Sequence, residues 1–178
     1  RSWVVIELTP LLSDNPDKTI YIKYSDRTTD DGNGACISQI TLDSNSYSAA
    51  YRIKNVWTGQ YMHVENRTGK AEYGAIYPHW ASAKWILEDA GNGYKKIRNV
   101  WTGAYLNIET DKTCVQCDGN NWGDSAKWLL EDVGGGHTRF KNYWQSTYMH
   151  IENQLGYVQC GGIPPDFDSS RWILEPVN

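Results

Sequence analysis

Three copies of one side-chain pattern stand out as able to do chemistry. Tyr61, His63 and Glu65 alternate along one short segment, Tyr105, Asn107 and Glu109 along a second, and Tyr148, His150 and Glu152 along a third. A few residues later Glu72, Gln116 and Gln159 add a carboxylate or an amide to each set. A loop aromatic then follows in each: Trp80, Trp122 and Phe167. An aromatic face with directed hydrogen-bonding groups beside it suits a ligand with an apolar C–H face and a rim of hydroxyls. Asn107 replaces the histidine in one copy and cannot titrate, so proton transfer is not what the pattern repeats. These fifteen residues are the candidate carbohydrate-binding set.

The elements that must position them are repeats. The segments YRIKNVWTGQYMHVEN, KKIRNVWTGAYLNIET and TRFKNYWQSTYMHIEN begin three units, 51–89, 95–132 and 138–176. Trp57, Trp101 and Trp144 open equivalent turns 44 and 43 residues apart, and Trp85, Trp128 and Trp172 close the units. Each unit reads as four short strands; in the first these are 51–57, 60–66, 71–74 and 84–88, with turns at Thr58-Gly59 and Thr68-Gly69. Three four-stranded units are too few to close a propeller, and they point to a β-trefoil around a pseudo-threefold axis. Met62, Val64, Leu106, Ile108, Met149 and Ile151 are the inward positions of the second strands. The alternate Tyr, His/Asn and Glu positions are then outward. In the third strands Ala71, Tyr73, Val115, Cys117, Val158 and Cys160 point in, and Glu72, Gln116, Gln159 and Cys114 point out. All six repeated tryptophans are read as core or barrel-bottom rings.

The N-terminal residues differ. Residues 3–8, 19–24 and 36–42 read as three further strands, so the expected organisation is a partial β-sandwich at 1–43, a linker at 44–50 and a trefoil at 51–178. Three strands are too few for a two-sheet sandwich, and a second polypeptide is one way of completing it. The fold class is all-β.

Composition narrows the function. The chain has 178 residues, 9 Trp and 12 Tyr against 2 Phe, and a net charge of −4. The acidic balance argues against nucleic acid as a partner, and no apolar run is long enough for a membrane-spanning helix. The tryptophan and tyrosine surplus suits rings with one wet edge. No cofactor or metal site is implied. Cys114-x-x-Cys117 lacks a second ligand pair, and the acidic stretch Asp26, Asp30, Asp31 and Asn33 offers oxygens for calcium without EF-hand spacing. Cys36 and Cys114 are the one disulfide pairing considered. Asn66-Arg67-Thr68 is a glycosylation sequon.

Residues 51–176 resemble β-trefoil carbohydrate-binding modules of the ricin-B-like group. The glutamine that usually stands two residues before the closing Trp is replaced by Ala83, Ala126 and Ser170. The strings WTGQYMHVEN, WTGAYLNIET and WQSTYMHIEN look more like family 92 carbohydrate-binding modules. The stretch WVVIELTP…KTIYIKYS…GACISQITLD resembles the last strands of a β-sandwich carbohydrate-binding module. The family 92 resemblance implies a secreted, non-catalytic protein that binds β-glucan polysaccharide at three sites. One site would combine Trp80 with Glu72 or Glu65, the next Trp122 with Gln116 or Glu109, and the third Phe167 with Gln159 or Glu152. Galactose-type binding, a glycoside hydrolase fragment using Glu65 and Glu72, and a protein-interaction trefoil are the alternatives.

Overall fold

A computed structural model describes residues 49–119 and 123–177. The chain divides after Tyr47, and every described residue belongs to the second unit. The expected N-terminal strands, Cys36, the acidic stretch and Trp122 lie outside the described residues.

Twelve strands form three four-stranded repeats. The first holds β1 (Ala50–Asn55), β2 (Tyr61–His63), β3 (Glu72–Gly74) and β4 (Trp85–Asp89). The second holds β5 (Tyr94–Asn99), β6 (Leu106–Asn107), β7 (Gln116–Cys117) and β8 (Trp128–Asp132). The third holds β9 (Thr138–Asn142), β10 (Tyr148–His150), β11 (Gln159–Gly161) and β12 (Trp172–Val177). The middle strands are shorter than the sequence pattern predicts. Side-chain bonds to turn backbone end them early, as the site geometry shows.

The first and last strands of the repeats close a barrel. β1 pairs with β4, β4 with β5, β5 with β8, β8 with β9, β9 with β12, and β12 returns to β1 from Asn55↔Trp172 to Ala50↔Val177. A closed ring leaves no free sheet edge. The hairpins β2–β3, β6–β7 and β10–β11 cap one end. They meet in a cycle of backbone bonds. Ala71 N–H donates to Val115 O (2.8 Å), Val115 N–H to Val158 O (2.9 Å), and Val158 N–H to Ala71 O (2.7 Å). The fold is an all-β trefoil with pseudo-threefold symmetry.

The core is built from the predicted inward residues. Met62, Leu106, Ile108, Met149 and Ile151 are fully buried, and Val64 nearly so. Trp85, Trp128 and Trp172 are fully buried and donate Nε1–H to the carbonyls of Met62, Leu106 and Met149 (3.1, 3.1 and 3.4 Å). A buried indole needs such a partner. Cys117 and Cys160 are buried thiols whose pKa values burial raises to about 12 and about 11. Cys114, expected to point out, is also buried.

Trp57, Trp101 and Trp144 are not core residues. They are 46%, 39% and 41% exposed at the tips of the first turn in each repeat. The large-ring argument assigned them inward because it could not see that the closing tryptophans already fill the centre.

Candidate functional site at the repeat junctions

Each repeat carries a one-turn 3-10 helix just before its closing strand: Ala81–Ala83, Asp124–Ala126 and Asp168–Ser170. The residue at its start is extended, and in the first and third repeats it is the loop aromatic, Trp80 or Phe167. In the second repeat that position is Gly123, not Trp122. The six-residue spacing from Trp122 to Trp128, against five in the other copies, marks this offset.

The next repeat supplies the facing wall, and a buried asparagine ties the two together. Asn99 donates to the carbonyls of Ser82 and Lys84 (2.9 and 3.3 Å) and accepts from the backbone N–H of Trp101 and Thr102 (3.0 and 3.1 Å). Asn142 does the same for Ser125 and Trp144, and Asn55 for Ser169 and Trp57. All three asparagines are fully buried. The sequence signal was visible as the Asn that precedes Val-Trp or Tyr-Trp in every repeat.

Two hollows result. One, of about 400 Å³, is lined by Glu65, His79, Trp80, Ala81, Ser82 and Trp101. The other, of about 320 Å³, is lined by Trp57, Glu152, Phe167, Asp168 and Ser169. The third-repeat site is thus completed by a residue of the first repeat. At the remaining junction a Cβ on Gly123 would stand 3.4 Å from Ser125 Oγ and 3.6 Å from Glu109 Oε2, so Glu109 approaches the same place. Ser82, Ser125 and Ser169 are buried, and their hydroxyls have no hydrogen-bond partner among the described residues.

The three junctions differ in charge. The Arg67 guanidinium carbon lies 4.3 Å from the centre of the Trp101 ring, and Lys112 Nζ lies 4.5 Å from that of Trp144, both within cation–π range. The corresponding turn beside Trp57 carries Gln154 and Leu155. Asp168 in the third-repeat hollow pairs with Arg171 at 3.2 Å.

Several predicted site residues sit elsewhere. His63, Asn107 and His150 are buried beneath the second strand's end rather than outward. Each accepts the backbone N–H two residues on: Glu65 to His63 Nδ1 (3.2 Å), Glu109 to Asn107 Oδ1 (3.0 Å), Glu152 to His150 Nδ1 (3.3 Å). Burial pushes both imidazole pKa values below the ordinary value, opposed at His63 by Glu72 and Glu65 and at His150 by Glu152. Glu72, Gln116 and Gln159 are buried too. Glu72 accepts from Asn66 N–H (3.3 Å) and Thr68 Oγ1 (3.2 Å), and Gln159 Oε1 from Asn153 N–H (3.2 Å). Gln116 donates to the carbonyls of Asp111 and Cys114 (2.9 and 2.7 Å). A buried polar side chain left without a partner would be costly, and these bond the backbone of the adjoining turns where the strand ladder ends.

Tyr61, Tyr105 and Tyr148 lie along the barrel wall, half-buried. Their hydroxyls donate to Glu175, Glu88 and Glu131 (3.0, 2.8 and 3.0 Å). Arg52 and Arg139 stack on Tyr61 and Tyr148 at 3.5 and 3.7 Å. Of the fifteen candidates, then, the hollows gather Glu65 with Trp80 and Glu152 with Phe167.

Residues 38–113 match the family model described as ricin-type beta-trefoil lectin domain-like. Among solved structures, a GlcNAcα1-4Gal-releasing endo-β-galactosidase from Clostridium perfringens is 34% identical, with a TM-score of 0.68 over 73% of this chain and 33% of its own. The chain therefore spans about a third of that enzyme's length. ThreeFoil, a designed threefold-symmetric protein, is 22% identical, with a TM-score of 0.64 over 72% of this chain and 99% of its own. SeviL, solved bound to an asialo-GM1 saccharide, is 18% identical, with a TM-score of 0.60 over 73% of this chain and 98% of its own. No curated protein sequence matches the chain. The described residues form a β-trefoil, and the ricin-type, lectin-like family model matches the chain over residues 38–113.

Proposed function

We propose that this chain is a non-catalytic carbohydrate-binding module, secreted, that holds polysaccharide in the hollows between its repeats. One observation carries the reading. Glu65, Trp80 and Trp101 line one hollow, and Glu152, Phe167 and Trp57 line another related to it by the internal symmetry. Each offers two aromatic walls for a pyranose C–H face and a carboxylate for its hydroxyls. Both are open surface hollows, which suits binding along a polymer better than the water exclusion that hydrolysis uses. Each site alone is weak, and engaging one polymer at several sites multiplies affinity by about 10²–10⁴ where geometry allows.

The family 92 resemblance makes β-glucan the first ligand class. The likeness to an endo-β-galactosidase chain at 34% identity makes β-galactosides the second. Titration of β-1,3- and β-1,6-glucan and of β-galactan, with a parallel assay for new reducing ends, tests the reading. Saturable binding without new ends supports it. Turnover, or no binding to any glycan, overturns it. Trp80→Ala and Phe167→Ala should each remove part of the binding while the fold persists.

A further inference from the structure

The aromatic surface of the first hollow continues past Trp80. Tyr77 has its ring centre 5.3 Å from that of Trp80, with 53° between the planes, and 5.8 Å from that of His79. Tyr77 is 64% exposed. A further hollow, of about 360 Å³, is lined by Ala75, Ile76, Tyr77 and Pro78. It shares no lining residue with the first hollow, but Tyr77, which lines it, is in ring contact with Trp80, which lines the first.

The loop that carries Tyr77 is held in place. Arg52, stacked on Tyr61, donates from Nη2 to Ile76 O at 3.2 Å, and Trp80 N–H donates to Tyr77 O at 3.2 Å. The third repeat builds the same scaffold: Arg139 Nη2 donates to Ile163 O at 2.9 Å and Phe167 N–H to Pro164 O at 3.3 Å. There Pro164 stands in the place of Tyr77 and Asp166 in that of His79. Two loops of one backbone design therefore differ in whether a ring extends the surface. A ring fixed in advance costs little ordering on binding.

We propose that Tyr77 is the platform of a second saccharide subsite, continuous with the Trp80–Trp101 hollow, so that the first site takes two adjacent pyranose units of one chain while the Trp57–Phe167 hollow takes one. The apolar walls from Ala75, Ile76 and Pro78 match the C–H face of the second sugar, and its hydroxyls remain in water. This subsite rests on the carbohydrate-binding reading above.

Chain-length dependence tests it. Glucose, laminaribiose and laminaritriose, with the corresponding β-galactosides, are titrated calorimetrically into three proteins: one with only the first hollow intact (Trp57→Ala with Phe167→Ala), one with only the third-repeat hollow intact (Trp80→Ala), and the first of these with Tyr77→Ala added. Affinity should rise about tenfold from mono- to disaccharide in the first protein only, and Tyr77→Ala should abolish that rise while leaving monosaccharide affinity within about twofold. Thermal melting of each variant verifies folding, and Tyr77→Phe, which keeps the ring, should retain the rise. A rise that survives Tyr77→Ala, or one equally present in the Trp80→Ala protein, overturns the subsite and leaves the binding function standing. No binding by the unmodified protein at any chain length overturns both.

Discussion

Asn99 donates its side-chain N–H to the carbonyl of Ser82 at 2.9 Å, and through its other atom holds the backbone N–H of Trp101. A single buried amide thus sets the distance between the two walls of the first hollow. Asn99→Leu keeps similar volume but strands these buried backbone groups, each at a cost of about 1–3 kcal/mol. The expected result is a loss of about 2–5 kcal/mol in urea unfolding, with weakened binding at the first junction. Asn99→Asp keeps the acceptor and loses the donor, so the Trp101 turn should survive better than the Ser82 contact. Equal stability of wild type and Asn99→Leu would remove the amide from this role.

Trp80 and Trp85 lie five residues apart and should separate binding from folding. Trp85 is fully buried and donates to Met62 O at 3.1 Å. Trp85→Ala opens a core cavity and is expected to cost about 3–5 kcal/mol. Trp80 starts the 3-10 turn, makes no side-chain capping bond and lines the hollow. Trp80→Ala should leave the unfolding midpoint nearly unchanged and lower polysaccharide affinity. Calorimetry paired with chemical denaturation distinguishes the two, and an inverted result would misplace the site.

The barrel, the repeat boundaries and the closing tryptophans were legible because apolar periodicity and threefold recurrence fix them. The wet side was legible only in part. Alternation placed His63 and Glu72 outward, but β2 ends at His63, and beyond it side chains turn inward to bind turn backbone. Polar type marked these residues as surface groups, whereas they turn in to accept N–H groups of the adjoining turn, which sequence does not display. Trp57 and Trp101 were missed for the opposite reason: a large apolar ring reads as core, and only the pairing of adjacent repeats shows it standing as the wall of a neighbour's hollow. Tyr61 recurs because its hydroxyl reaches Glu175 on the closing strand, which is a structural cause of recurrence.

Acid should loosen the fold through His63 and His150. Burial lowers both pKa values from 6.5. Below about pH 6.5 the unfolded chain takes up protons that the native imidazoles refuse, so stability falls with pH until the depressed native values are reached. Protonation also removes the Nδ1 acceptor that holds Glu65 N–H or Glu152 N–H. Glu72 lies 3.8 Å from His63 Nδ1, while Gln159 takes its place in the third repeat, so His150 has less compensation and should contribute more. Asn107 already performs the same task in the second repeat without titrating. His63→Asn with His150→Asn should therefore flatten the urea-midpoint profile between about pH 5 and 7. An unchanged slope would assign the acid sensitivity to other groups.

Gly123 marks where the second junction departs from the other two. Its φ of −105° and ψ of −179° are open to any residue, and a Cβ there would meet Ser125 Oγ at 3.4 Å and Glu109 Oε2 at 3.6 Å, both ordinary contacts. Gly123→Ala should stabilise the protein by about 0.4–1 kcal/mol, because it restricts the unfolded chain without straining the folded one. Gly123→Trp goes further, placing an indole at the position of Trp80 and Phe167, opposite Trp144 and beside Glu109. In a Trp80→Ala, Phe167→Ala background, where both observed hollows have lost a wall, this substitution should restore polysaccharide binding, and Gly123→Ala should not. Restoration by both, or by neither in a protein that melts normally, would show that the wall at this position is not what binds.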